Sequence, residues 1–223
     1  MELVDKLSNR QYIDGEWVES SNKNTRDIIN PYNQETIFTV AEGTKEDVER
    51  AILAARRSFE DGEWSLETSE VRGKKVRAVA DKIKENREEL AKLETLDTGK
   101  TLEESYADMD DIHNVFMYFA GLADKDGGEM INSPIPNTES KIVKEPVGVV
   151  TQITPWNYPL LQASWKIAPA LATGCSLVMK PSEITPLTTI RVFELMEEVG
   201  FPKGTINLVL GAGSEAVSYT HLT

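Results

Sequence analysis

Three short segments of this chain hold residue types able to handle a nucleotide and a reacting carbonyl. The first reads Ile153-Thr154-Pro155-Trp156-Asn157-Tyr158-Pro159. Pro155 and Pro159 stiffen the backbone on either side of Asn157. The Asn157 amide can donate to an oxygen that gains negative charge, and losing one such donor typically slows acyl transfer about 10²–10³-fold. Asn157 equally suits capping the helix that follows. The second segment reads Met179-Lys180-Pro181-Ser182-Glu183. A Lys and a Glu three apart at a strand terminus can both reach a ribose. The carboxylate accepts from adjacent hydroxyls and repels a 2′-phosphate, which favours NAD over NADP. The same two residues can be a surface ion pair of little energetic value. The third segment, Gly211-Ala212-Gly213-Ser214-Glu215-Ala216, fits the pattern G-x-G-x-x-G/A letter for letter. That pattern belongs on the first strand of a dinucleotide unit, with an acid about 20 residues later. A weaker reading is kept here: small residues let a helix N-terminus approach a ligand closely.

These segments need elements to hold them. Gln11-Tyr12-Ile13 and Glu16-Trp17-Val18 flank Asp14-Gly15, the signal of a two-residue hairpin. Thr36 to Val40 reads as a strand. Thr44 with Asp47 resembles a capping box with a shorter acid, and Val48, Ile52, Ala55 and Phe59 then share a helical face. Further helices are expected over Val71 to Lys84, Arg87 to Leu96 and Ser105 to Leu122. A turn-rich loop runs from Asp124 to Asn137. Beyond it, β-type runs (Ile142-Val143, Val147 to Val150, Ser176 to Met179, Ile206 to Leu210) alternate with helices over Leu160 to Ala172 and Pro186 to Val199. That alternation predicts an α/β fold with a parallel sheet and right-handed crossovers. Ligands in such sheets sit beyond the carboxyl ends of the strands, where the three segments fall.

The balance of 40% hydrophobic and 27% charged residues over 223 suits a globular domain with a sizeable core. The net charge of −13 argues against nucleic acid as a partner. No apolar run reaches membrane-spanning length. The single cysteine, Cys175, excludes an internal disulfide and leads into a buried strand, so it is expected to be a packed residue. Acids at the N-terminus in place of a signal peptide's basic region point to the cytoplasm.

The segments together resemble the aldehyde dehydrogenase superfamily, from about Gln11 to Glu215. Leu93-Glu94-Thr95-Leu96-Asp97-Thr98-Gly99-Lys100, Trp165-Lys166-Ile167-Ala168-Pro169-Ala170-Leu171 and Gly204-Thr205-Ile206-Asn207-Leu208-Val209 add to the likeness. The group that oxidises betaine aldehyde is the nearest match. The resemblance implies a Rossmann-like sheet with flanking helices, and NAD-dependent oxidation of an aldehyde, betaine aldehyde to glycine betaine, through a thiohemiacetal. It implies that Asn157 is the oxyanion donor and Lys166 a charge-relay residue. It makes Lys180, Ser182 and Glu183 contacts to the adenosine ribose, and Ile153, Thr154, Pro155 and Trp156 the wall along the cofactor. The resemblance also implies that Gly213 is part of the adenine and pyrophosphate border. The backbone around Ile28, Ile29, Asp97 and Ile184 corresponds to monovalent-cation sites, with K+ as the candidate ion. Tyr158 and Trp165, seven residues or two helical turns apart, would share a face if Tyr158 opens the helix. Two aromatic faces around a quaternary ammonium are worth about 2 kcal/mol when desolvated. Core packing of Trp165 is the alternative.

The family's chemistry also needs a cysteine nucleophile and a general-base glutamate that lie further along the family's chain. Without them the 223 residues are expected to be inactive alone. The expected organisation is residues 1–130 for the first strands and helices of the cofactor-binding domain, 131–150 for a bridging and oligomerisation hairpin, 151–215 for the Rossmann-like core and 216–223 for a non-native tail. His221 lies in that tail and carries no expected role. His113 is expected to be packed or exposed rather than a ligand. A homo-oligomer, dimer or tetramer, is expected of the complete protein. An isolated fragment is expected to leave an unpaired sheet edge after Ile206 to Leu210 and to be poorly soluble or partly molten. Two readings stay open beside this one: a dehydrogenase for another small aldehyde, and a non-catalytic dinucleotide-binding module.

Overall fold

The computed structural model describes residues 3–125 and 127–216. Among the described residues, three antiparallel ribbons and four helices precede the parallel unit. β1 (Gln11–Ile13) and β2 (Glu16–Val18) form the expected hairpin, with Asp14 and Gly15 both at positive φ (57° and 80°), the geometry of a two-residue turn that matches strand twist. β3 (Thr25–Ile29) pairs with β4 (Thr36–Ala41). The helices are α1 (Lys45–Asp61), α2 (Ser69–Glu85), α3 (Arg87–Thr98) and α4 (Leu102–Leu122). A short hairpin of β5 (Glu129–Ile131) and β6 (Ser140–Ile142) follows. The last stretch runs β7 (Val149–Ile153), α5 (Pro159–Thr173), β8 (Ser176–Lys180), α6 (Leu187–Val199), β9 (Ile206–Leu208) and the four-residue α7 (Gly213–Ala216).

Local chemistry accounts for the helix starts. Thr44 Oγ1 accepts from the Asp47 N–H, and Asp47 Oδ2 accepts from the Thr44 N–H at 3.0 Å, so the capping box closes despite the short acid. Thr101 Oγ1 caps the Glu104 N–H at 3.2 Å. That cap starts α4 three residues before the position its apolar spacing suggests. β7 begins at Val149 because Gly148 sits at φ 119° and Val147 is exposed.

β7, β8 and β9 run parallel, within a five-stranded sheet ordered β2-β1-β9-β8-β7. β8 is buried along its whole length, as a strand covered on both faces must be. Its Leu177 and Met179 join the core under α2, α4, α5 and α6, while Val178 joins a smaller cluster with Val48, Ala51 and Ala55 of α1. The alternation shows α1 on one face and the other helices opposite.

The expected bare edge along 206–210 is not found. β1 lies antiparallel against β9, with Tyr12 opposite Leu208. All three β1 residues are buried, so this strand belongs inside the sheet rather than on a free ribbon. β2 and β7 are the outer strands. No described helix is long and apolar enough to cross a membrane. Cys175 is a free, buried thiol beside Thr173 Oγ1 (3.6 Å), the packed role expected of it. His113 Nδ1 lies 3.0 Å from the Ala80 carbonyl, a bond between α4 and α2. His221 lies outside the described residues.

Candidate functional site

The three strand tips meet at one end of the sheet. β7 and β8 are in register, with Ile153 opposite Lys180, and the Thr154 N–H donates to the Lys180 carbonyl at 3.2 Å. The Val209 N–H donates to the Met179 carbonyl at 2.9 Å, which brings in the segment after β9. Thr185 Oγ1 donates to the Trp156 carbonyl at 3.2 Å, so the loops after β7 and β8 are tied together. Lys180 is buried; its Nζ donates to the Pro181 carbonyl at 2.7 Å and lies 3.6 Å from Glu183 Oε2. Burial holds this ammonium below the usual lysine range, against the pull of Glu183. Thr154 Oγ1 is buried and has no hydrogen-bond partner. A buried ammonium paired with Glu183 and an orphaned Thr154 hydroxyl at one strand tip suit a polar ligand. These residues therefore fit a dinucleotide. Gly213 opens α7 beside them.

Asn157 is exposed, and the helix after it does not use it as a cap. Tyr158 takes the N-cap position of α5, with no side-chain cap bond. The Asn157 amide is thus spared for another acceptor. The Tyr158 hydroxyl donates to Glu104 Oε1 at 3.1 Å, and Lys100 Nζ sits 4.2 Å above its ring. Lys100 in turn reaches Asp108 Oδ2 at 2.5 Å. Trp165, 49% exposed, lines a groove with Leu161 of its own helix and Asp111, Asn114, Tyr118 and Phe119 of α4. The rings that share this groove with Trp165 are Tyr118 and Phe119; Tyr158 lies outside it, engaged by Lys100 and Glu104. Lys166 is half-buried, and its carbonyl accepts from Gln152 Nε2 at 2.9 Å.

A second polar cluster lies under α3. Asp97 is buried; Oδ2 accepts from the Leu187 N–H at 2.9 Å, and Oδ1 has no partner. Desolvation pushes its carboxyl well above the carboxylate range. A Cβ on Gly99 (φ 78°) would lie 2.8 Å from Pro31 Cγ, so the end of α3 abuts the turn after Ile28 and Ile29. Ile28 is buried, Ile29 and Ile184 are exposed, and Ile184 leads into α6 next to Asp97's partner. The orphaned Asp97 oxygen fits a cation at this corner.

Glu94, one turn earlier, accepts from Thr188 Oγ1 at 2.7 Å, and burial raises its carboxyl to about 7. A carboxyl raised from its reference value of 4.5 stabilises the fold fully below that value. The stabilisation is lost as pH rises through about 7. Replacing Glu94 with Gln should therefore raise the unfolding free energy relative to the parent by on the order of 3 kcal/mol at pH 8 and leave it unchanged at pH 4.5, with the melting point following. Parallel melting curves for the two proteins across that range would refute the assignment.

Comparison with known proteins decides the family: the model of the aldehyde dehydrogenase family matches residues 17–220. This chain belongs to the aldehyde dehydrogenase family. The match runs past Glu215, the end of the resemblance carried by the sequence segments. Betaine aldehyde dehydrogenase of Bacillus subtilis (strain 168) is 66% identical over 208 residues, 93% of this chain and 42% of the relative. Aminoaldehyde dehydrogenase 1 of Pisum sativum is 47% identical over 218 residues, 94% of this chain and 43% of the relative. A crystal structure of betaine aldehyde dehydrogenase from Staphylococcus aureus in complex with NAD+ superposes with a TM-score of 0.97 at 90% identity. It matches over 97% of this chain and 43% of that one. The chain spans about two fifths of the length of these relatives.

Glu42, Arg26, Glu104, Asp111 and Tyr118 reach the site from other elements and lie outside the segments that carry the family resemblance. The signals available were indirect. Asp111 and Tyr118 lie seven apart on one predicted helix, as Tyr158 and Trp165 do.

Proposed function

We propose that this chain carries the cofactor-binding and oxyanion-stabilising portion of an NAD-dependent dehydrogenase that oxidises betaine aldehyde to glycine betaine. The observation that carries the reading is the convergence of Thr154–Asn157 and Lys180–Glu183, joined by the Thr154 to Lys180 and Thr185 to Trp156 hydrogen bonds. Lys180, Ser182 and Glu183 hold the adenosine ribose. Ile153, Thr154, Pro155 and Trp156 flank the cofactor, and Gly213 borders its pyrophosphate. NAD supplies a hydride acceptor when bound. Asn157 donates to the substrate oxygen as charge develops there. Lys166 stands near Asn157 in sequence as the charge-relay candidate. The cysteine and glutamate of the family's chemistry come from outside these residues.

For the substrate, the groove combines the rings of Trp165, Tyr118 and Phe119 with the Asp111 carboxylate. That chemistry selects an aldehyde bearing a cation. A primary ammonium satisfies it as well as a trimethylammonium, so ω-aminoaldehydes are the second substrate class. Asp97 and the backbone at Ile28, Ile29 and Ile184 hold a monovalent cation, K+ by preference. The β5–β6 hairpin, with Met130, Ile131, Ile142 and Val143 exposed, joins copies of the complete protein into a dimer or tetramer.

The ribose assignment is tested in the complete enzyme by Glu183→Ala. NAD+ binding should weaken about tenfold and NADP+ binding should improve relative to it, because a carboxylate that accepts from hydroxyls and repels a 2′-phosphate is gone. Unchanged affinity for both nucleotides would remove Glu183 from the site.

A further inference from the structure

The Gly211–Gly213 turn lacks large side chains with which to hold its own position, and it is held from outside the parallel unit. The Gly43 N–H donates to the Leu210 carbonyl at 3.1 Å, and the Leu210 N–H donates to Gln11 Oε1 at 3.2 Å. The approach is close: a Cβ on Gly43 would lie 2.3 Å from both of those oxygens, and one on Gly211 (φ 119°) 2.9 Å from the Gly43 carbonyl oxygen. Beside this contact, the Ala212 N–H donates to Glu42 Oε1 at 3.0 Å. The same carboxylate takes both prongs of Arg26, Nε to Oε2 at 2.5 Å and Nη2 to Oε1 at 2.7 Å. Glu42 is thus the joint between the β3–β4 ribbon and the turn after β9.

Through Glu42, Arg26 is joined to the Gly211–Gly213 turn that borders the site. Its guanidinium feels the charge of Glu183, and Glu42 feels that of Lys180. A guanidinium is the group best shaped to take a phosphate in two-pronged fashion, and an arginine at this place in a dinucleotide site accommodates the 2′-phosphate of NADP. Here the fork is already filled by Glu42.

We propose that Glu42 is a positioning residue of the dinucleotide site, seating the Gly211–Gly213 turn and occupying Arg26 so that this cation does not serve a 2′-phosphate. The proposal rests on the reading of Lys180–Glu183 as the ribose contact. Glu42 touches no cofactor atom in this account; it acts through Ala212 and Arg26.

Two substitutions separate the two tasks. Glu42→Gln keeps an oxygen for the Ala212 N–H but cannot hold Arg26 by charge; Glu42→Ala loses both. Equilibrium binding of NAD+ and NADP+ to the full-length enzyme carrying this segment is measured by calorimetry, with melting temperatures alongside. Glu42→Ala is expected to weaken NAD+ about tenfold, the usual scale for a lost hydrogen bond to a charged group. Glu42→Gln is expected to stay within about threefold for NAD+ while the NADP+ to NAD+ affinity ratio rises about fivefold or more. Adding Arg26→Met to Glu42→Gln should return that ratio to its starting value. A purely structural role for Glu42 would lower the melting point and leave the ratio alone. An unchanged ratio in Glu42→Gln, or NAD+ affinity within about twofold of the parent in Glu42→Ala, overturns the proposal. Glu183→Ala serves as the reference: if it leaves NAD+ binding untouched, the ribose reading itself fails. If it weakens NAD+ while the Glu42 variants do not, only the positioning role falls.

Discussion

Replacing Asn157 with alanine in the complete enzyme should lower kcat by about 10²–10³-fold, the scale seen when one oxyanion donor is removed. NAD+ affinity and melting temperature should hold. The structure separates these outcomes. Asn157 is exposed and α5 takes Tyr158 rather than Asn157 as its N-cap, so truncation removes no cap and leaves no buried group unpaired. The proposed ribose contacts, Lys180 and Glu183, lie across the β7–β8 pairing from Asn157. A donor that acts only on developing charge changes kcat and kcat/KM together. A clear drop in melting temperature, or a rise in KM for NAD+ at constant kcat, would assign Asn157 to the scaffold instead.

The second large effect falls on substrate choice. Trp165→Ala should weaken betaine aldehyde by about thirtyfold in kcat/KM, the equivalent of about 2 kcal/mol of desolvated cation–π energy. A neutral aldehyde of similar size should lose only the packing of the ring, a few-fold. The exposure of Trp165, 49%, and its place opposite Asp111 and Tyr118 in the groove argue against core packing. Tyr158 enters differently from the way its spacing suggests. Lys100 already occupies one face of its ring at 4.2 Å, so a substrate cation can use only the other. Equal losses for the charged and the neutral aldehyde would remove the aromatic groove from the substrate argument.

What the sequence made legible follows from distance along the chain. The hairpin at Asp14-Gly15, the Thr44–Asp47 cap and the alternating strands and helices after Val149 are local signals, and each is present in the structure. The strand-tip segments were legible because a parallel sheet places its loops at one end by topology alone. The partner of β1 was not legible. Three residues buried on both faces look alike wherever they are inserted, and only tertiary packing sets Tyr12 against Leu208. Glu42 gave no signal for the same reason: its importance lies in Arg26, sixteen residues earlier, and Ala212, 170 later. The cluster of Glu94, Asp97, Lys100 and Asp108 shows helical spacing, which reads as a solvated face, yet all four are withdrawn from water.

The insertion of β1 beside β9 has a bearing on biosynthesis. Tyr12 and Leu208 are 196 positions apart, and polypeptide leaves the ribosome at about 5–20 residues per second. The first hairpin therefore waits on the order of 10–40 seconds for the strand it must join, with Tyr12 and Ile13 unburied in the meantime. A chaperone that recognises short apolar segments on nascent chains would find its target in the first fifteen residues, and its release would have to follow the emergence of Leu208.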